Sequence, residues 1–106
     1  MADASDLLLE TLDDGSTAAV TVHGTLESAT ADEFRRRLRQ LIDTGHGRVA
    51  LDLADVWFVD GAGVGVLVGA LKAQEQVGGE LVVTATSPQV RRVLHVAGLD
   101  RLMGAN

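Results

Sequence analysis

An alternation of two hydrophobic periods most restricts what this chain can fold into. Short aliphatic runs of strand type are followed three times by stretches whose apolar residues recur every three or four positions. Phe34, Leu38, Leu41 and Ile42 form the first such stripe. Val64, Leu67, Val68 and Leu71 form the second, and Val90, Val93, Leu94 and Ala97 the third. This spacing places apolar side chains on one helical face. The strand-like runs are Leu7–Leu12, Ala18–Val22, the segment holding Val49, Leu51 and Leu53, and Leu81–Ala85. Strands separated by helices pair in parallel through right-handed crossovers. The first two runs, joined by Asp13-Asp14-Gly15-Ser16, read instead as an antiparallel hairpin. The expected architecture is α/β: a mixed sheet of four to five strands with an antiparallel edge hairpin, covered mainly on one face by three or more helices. At 106 residues the chain fits a single domain over 1–106, with its core over about 7–102.

Local signals punctuate these elements. Val20 and Val22 are predicted to face one side of their strand, Thr21 and His23 the other. Gly24 is predicted to end that strand. Thr30 with Glu33 has the spacing of a capping box, and Gly45 closes the first helix near residue 44. Asp60-Gly61-Ala62-Gly63 makes a tight turn into the second helix, with Asp60 as its cap. Lys72, Gln74, Glu75 and Gln76 make the far end of that helix polar, and Gly78-Gly79 stops it. Ser87 followed by Pro88 is an N-cap with proline at the first helical position. Gly98 ends the third helix, and Leu99 and Leu102 tuck the tail back. Only 3% of residues are aromatic against 46% hydrophobic, so Val, Leu and Ala must build the core. Of the neighbours Trp57 and Phe58, one is expected inside. Phe58 reads as core, while Trp57 reads equally as core and as an exposed anchor for a partner. Gly61, Gly65 and Gly69, with Ala73, form a small-residue stripe on the second helix. It reads first as close packing against the sheet or a neighbouring helix, and second as a docking groove.

Several functional classes are disfavoured. The formal charge of −6 repels phosphate backbones, so no nucleic-acid partner is expected. The apolar run Val64–Leu71 is far short of the roughly 20 residues that span a bilayer, so no membrane insertion is expected. No leader pattern is visible at the start, and the absence of cysteine fits a reducing, cytoplasmic location. His23, His46 and His95 are too scattered for a metal site, and no metal or cofactor is expected. The glycines from Gly61 match neither the dinucleotide fingerprint nor a phosphate-binding P-loop, and there is no G-x-S-x-G elbow. No catalytic motif is read, and no enzyme is expected. The arginines Arg35, Arg36, Arg37 and Arg39 read as a solvated helix face.

Four segments carry a family resemblance. Leu51–Gly65, with Asp60-Gly61-Ala62-Gly63 at its turn, resembles the STAS signature, in which an Asp-Ser-Ser-Gly turn follows a strand. Gly24-Thr25-Leu26-Glu27, Gly78-Gly79-Glu80-Leu81 and Ser87–Leu94 with Gly98-Leu99 match its other motifs in order and spacing. The match covers about residues 18–102. The resemblance implies an anti-sigma factor antagonist that binds an anti-sigma-factor kinase. It also implies a phosphorylation switch on the first serine after the aspartate. Here Gly61 and Ala62 occupy the serine positions, so no phosphorylation is expected at the family site. Glu27 replaces the aspartate of the first turn. The partner-binding set implied is Thr25, Glu27, Trp57, Asp60, Gly61, Ala62, Gly63 and Gly65. Ser28 and Thr30 stand beside it, more as helix caps than as phosphosites. Two competing readings are a cytoplasmic STAS accessory subunit of a lipid-transport ABC transporter and a subunit of a stress-signalling assembly. Homo-oligomerisation is left open.

Overall fold

The computed structural model describes residues 7–104. The alternation resolves into β1 (Leu7–Asp13), β2 (Thr17–Leu26), α1 (Ala31–Asp43), β3 (Arg48–Val59), α2 (Gly61–Gln76), β4 (Glu80–Thr86) and α3 (Pro88–Val96), followed by a 3₁₀ turn (Asp100–Met103). The sheet has four strands in the order β1-β2-β3-β4, with β1 antiparallel to β2 and the other pairs parallel. This is the expected mixed sheet with its edge hairpin. Val20, Val22, Val49, Leu51, Leu53, Leu81 and Val83 point into one core cluster with Phe34, Leu38, Leu67, Val90 and Leu94 from the helices. Thr21 and His23 are only half-buried on the other side of β2. At the hairpin the Asp14 carboxylate accepts from the backbone N–H groups of Ser16 and Thr17, which is why the turn forms there.

Gly24 does not end its strand. β2 continues to Leu26, and its pairing with β3 shifts register on either side of this region, between Thr21 and His23 and between Gly24 and Thr25. Gly24 takes φ +116°, a conformation costly for any side chain, so glycine carries the irregularity without breaking the ladder. Nor is there a capping box at Thr30. Its side chain makes no cap bond to α1. Its hydroxyl instead donates to the Thr25 carbonyl at 2.8 Å and accepts from the Glu27 N–H at 3.1 Å. Glu33 turns outward and pairs with Arg36 and Arg37, while Arg35 pairs with Asp32 and Arg39 with Asp43. The arginines thus form the expected solvated face.

The buried face of α2 lies one position off the predicted stripe. Gly63, Val66, Leu67, Ala70, Ala73 and Gln74 are buried, whereas Val64, Val68 and Leu71 are half-buried flanks. A helix this apolar gives no sharp face to read from sequence. Gln74, expected in a polar tail, is fully buried. Its side-chain amide donates to the carbonyls of His46 and Glu80, both at 3.0 Å, and so ties the end of α2 to the starts of β3 and β4. Gly79 permits this, because a Cβ there would lie 2.8 Å from Gln74 Oε1 and 3.0 Å from the Gly47 carbonyl. The close-packing reading of the glycine stripe fails at three of its four positions. A Cβ at Gly61, Gly65 or Gly69 would meet nothing within 4 Å, and only Ala73 is buried. At α3, Ser87 caps as expected, with its oxygen accepting from Val90 N–H, and Pro88 begins the helix. Ala97, predicted to face the core, is exposed beyond the helix end. Leu99 and Leu102 do fold back into the core.

Candidate functional site

The carboxyl ends of β2 and β3 and the start of α2 meet at one edge of the molecule. Asp60 holds them in place. Its backbone is extended, and its carboxylate accepts from Ala62 N–H at 2.9 Å and Gly63 N–H at 3.2 Å. These donors would otherwise lack an intrahelical partner. Asp60 N–H donates to the Leu26 carbonyl at 3.1 Å, which ties the helix start to the end of β2. Gly63 completes the junction. A Cβ there would overlap the Leu26 carbonyl and approach Leu26 Cβ at 2.8 Å, so only glycine lets the helix seat this close.

The predicted partner-binding residues divide by accessibility. Gly61, Gly65 and Trp57 are exposed, and Glu27, Asp60 and Ala62 are half-buried, so all six border solvent. Thr25 and Gly63 are buried. Thr25 at 1% exposure presents no side chain to another molecule, and its carbonyl serves the Thr30 hydroxyl. These two residues shape the edge from beneath, a correction to their reading as contacts.

Sequence reasoning also misplaced Phe58. Neither aromatic packs in the core: Trp57 is 63% and Phe58 39% exposed, with their ring centroids 6.4 Å apart. Val56 and Val59 take the buried positions on either side. Strict alternation would bury one of two adjacent residues, so the irregular end of β3 is the cause. Phe58 pairs with Thr25 in the ladder and so belongs to the same edge. Ser87 links α3 to it as well, its hydroxyl donating to the Val56 carbonyl at 3.0 Å. Ser28 is exposed at the turn after β2.

The edge combines four features. It offers a capped helix start without hydroxyls, a fixed carboxylate at Asp60, a second carboxylate at Glu27 and two adjacent exposed aromatic rings. Among the described residues no cluster of His, Asp and Glu is arranged to hold a metal ion. Among the described residues no helix is long and apolar enough to cross a membrane. Two histidines with raised pKa values lie away from this edge. His46, buried at the opposite end of β3, donates to the Leu41 carbonyl and to the Asp13 carboxylate, and both raise its pKa above 6.5. His23 lies between Glu10 and Asp55, and both carboxylates raise its pKa.

The STAS domain family model matches residues 9–105. An anti-sigma-B factor antagonist of Staphylococcus epidermidis is 32% identical over 101 residues, covering 95% of this chain and 94% of the relative. BtrV of Bordetella bronchiseptica is 35% identical over 77 residues, covering 73% of this chain and 66% of the relative. The unphosphorylated form of the anti-sigma factor antagonist SpoIIAA superimposes with a TM-score of 0.78 at 25% identity, covering 91% of this chain and 84% of SpoIIAA. With the mixed four-stranded sheet, the three helices and the Asp60 turn in place, this chain belongs to the STAS domain family.

Proposed function

We propose that this protein is an anti-sigma factor antagonist that docks on an anti-sigma-factor kinase through the edge around Asp60, without a phosphorylation switch at that edge. The supporting observation is the helix start itself. Gly61 is exposed and Ala62 half-buried at the first two positions of α2, directly after a capped aspartate and beside exposed Trp57 and Phe58. The relatives with antagonist names share its size and fold. Without a hydroxyl, the first turn of α2 has no phosphoryl acceptor. A phosphate at such a position adds about −1.5 to −2 charges, next to the Asp60 carboxylate. This chain presents the same turn with that route closed, and so stays competent to bind.

Recognition rests on shape and fixed charge. The bare backbone at Gly61 and Gly65 lets a partner approach the helix closely, and the aromatic pair supplies apolar area of the kind that anchors protein interfaces. The test is a titration with the cognate anti-sigma-factor kinase by calorimetry, followed by incubation with ATP and intact-mass measurement. Tight binding that ATP does not abolish, with no added phosphate, supports the proposal. A stoichiometric phosphate on Ser28 or Thr30 that releases the kinase would overturn the unswitched reading. Co-purification with a transporter ATPase and permease, and no binding to any kinase, would overturn the antagonist reading.

A further inference from the structure

We propose that the free edge of β1 pairs with the same edge of a second copy of this chain, antiparallel about Glu10, joining two four-stranded sheets into one continuous sheet. The two edges of the sheet are finished differently. Beside β4 the 3₁₀ turn Asp100–Met103 packs against the strand, with Leu102 fully buried and Arg101 held by Glu75. β1 is paired on one side by β2 and has no other neighbouring strand among the described residues. An uncovered edge presents unpaired backbone donors and acceptors, a template for another strand.

The side chains on β1 make that template self-complementary. Leu8 and Leu12 are 57% and 79% exposed, among the most exposed large hydrophobic residues described. They stand two residues either side of Glu10. Ladder pairing places Leu8 opposite His23, Glu10 opposite Thr21 and Leu12 opposite Ala19. All three therefore share the sheet face turned away from the helices, since side chains alternate along a strand and the intervening Val20 and Val22 are buried. An antiparallel partner centred on Glu10 sets Leu8 against Leu12 of the second copy, and Leu12 against Leu8 of the second copy. Each pair then covers exposed aliphatic surface on both copies. Shifting the register by two residues sets Leu8 or Leu12 against Glu10 instead, so the apolar pairing selects this register.

The remaining pair, Glu10 against Glu10 of the second copy, is the one that opposes association. His23 of each copy answers it in part. Glu10 Oε1 lies 2.9 Å from His23 Nε2, and the other ring nitrogen of His23 lies 2.6 Å from the Asp55 carboxylate. When protonated, the imidazole donates to both carboxylates and offsets part of the Glu10 charge where the copies would meet. A seven-residue strand edge covers less than the roughly 1,200–2,000 Å² of a stable complex. The association is therefore weak and concentration-dependent. It uses a surface separate from the Asp60 edge and does not depend on the kinase-binding proposal.

Sedimentation velocity from micromolar to millimolar protein tests this directly. The expected result is a reversible shift from 11.1 kDa toward twice that mass. Leu8→Lys with Leu12→Lys, folded by circular dichroism, is expected to weaken association at least tenfold. Register is read by cross-linking, since the chain has no cysteine of its own. Glu10→Cys is expected to form a disulfide-linked dimer on mild oxidation. A mixture of Leu8→Cys and Leu12→Cys chains, which keeps Glu10 and its partner His23, is expected to cross-link between the two variants. A monomer at every concentration, or association unchanged by the lysine substitutions, would overturn the proposal. So would cross-linking of Leu12→Cys to itself with none between the Leu8→Cys and Leu12→Cys chains.

Discussion

A methyl group on Gly63 would overlap the carbonyl oxygen of Leu26, whereas one on Gly65, half a turn later on the same helix, would enter open space. One glycine is required by packing and the other is not. Alanine at these positions should therefore move stability in opposite directions. Gly63→Ala is expected to destabilise by about 1–3 kcal/mol or more, through forced displacement of the helix start. Gly65→Ala is expected to stabilise by about 0.5–1 kcal/mol, through the gain in helix propensity. Urea denaturation of the two variants checks the signs. Reduced kinase affinity in the more stable Gly65→Ala protein would mark that bare surface as a contact.

Asp60→Ala removes the acceptor for two backbone donors. The expected loss is about 1 kcal/mol of stability, the usual worth of an N-cap. Asp60→Asn keeps an acceptor and should recover most of it. If the carboxylate also meets the kinase, Asp60→Asn will weaken binding while the urea midpoint stays near wild type.

Trp57→Ala separates binding from folding cleanly, because the ring is largely exposed. Its effect on stability is expected to stay within about 0.5 kcal/mol. Its effect on kinase affinity is expected to reach about 2 kcal/mol, or roughly thirtyfold, if it anchors the interface. Calorimetric titration of the variant supplies the second figure. Unchanged affinity would remove Trp57 from the docking surface.

Stability should fall as pH rises above 6.5. The pKa values of His46 and His23 are raised in the fold above their ordinary 6.5. Each histidine therefore stabilises fully below pH 6.5, and loses that contribution as pH rises through its folded value. Asp13 behaves in the opposite sense. The Gly15 N–H and His46 hold its pKa below 3.8, so its contribution is present above that value and lost as pH falls through the lowered one. The urea midpoint should accordingly be greatest between these limits and decline from pH 6.5 upward. His46→Gln should flatten the alkaline decline in part, leaving the portion due to His23.

Much of this architecture was legible because its signals are local. The Asp-Gly turn, the Ser87-Pro88 start and the Asp60 cap each depend on a few neighbouring atoms, and each formed where expected. The failures arose where distant chain segments decide the outcome. Gln74 is buried because the carbonyls of His46 and Glu80 converge on it, which no helical periodicity reveals. Thr30 has the spacing of a cap, yet the preceding turn offers its hydroxyl better partners. The geometry of the candidate edge was half legible. The motif marked the Asp60 turn, which forms as a capped helix start, but whether Thr25 faces out or Phe58 faces in depends on the register shifts of β2 and the irregular end of β3.

The hydrogen bonds made by Thr30 have a kinetic corollary. They clasp the segment between β2 and α1 into a closed ring, so that Glu27 and Ser28 are displayed on a stiff loop. A stiff loop has little motion left to surrender on association. Thr30→Val, which opens the clasp without disturbing the exposed surface, should slow capture of the partner more than it hastens release.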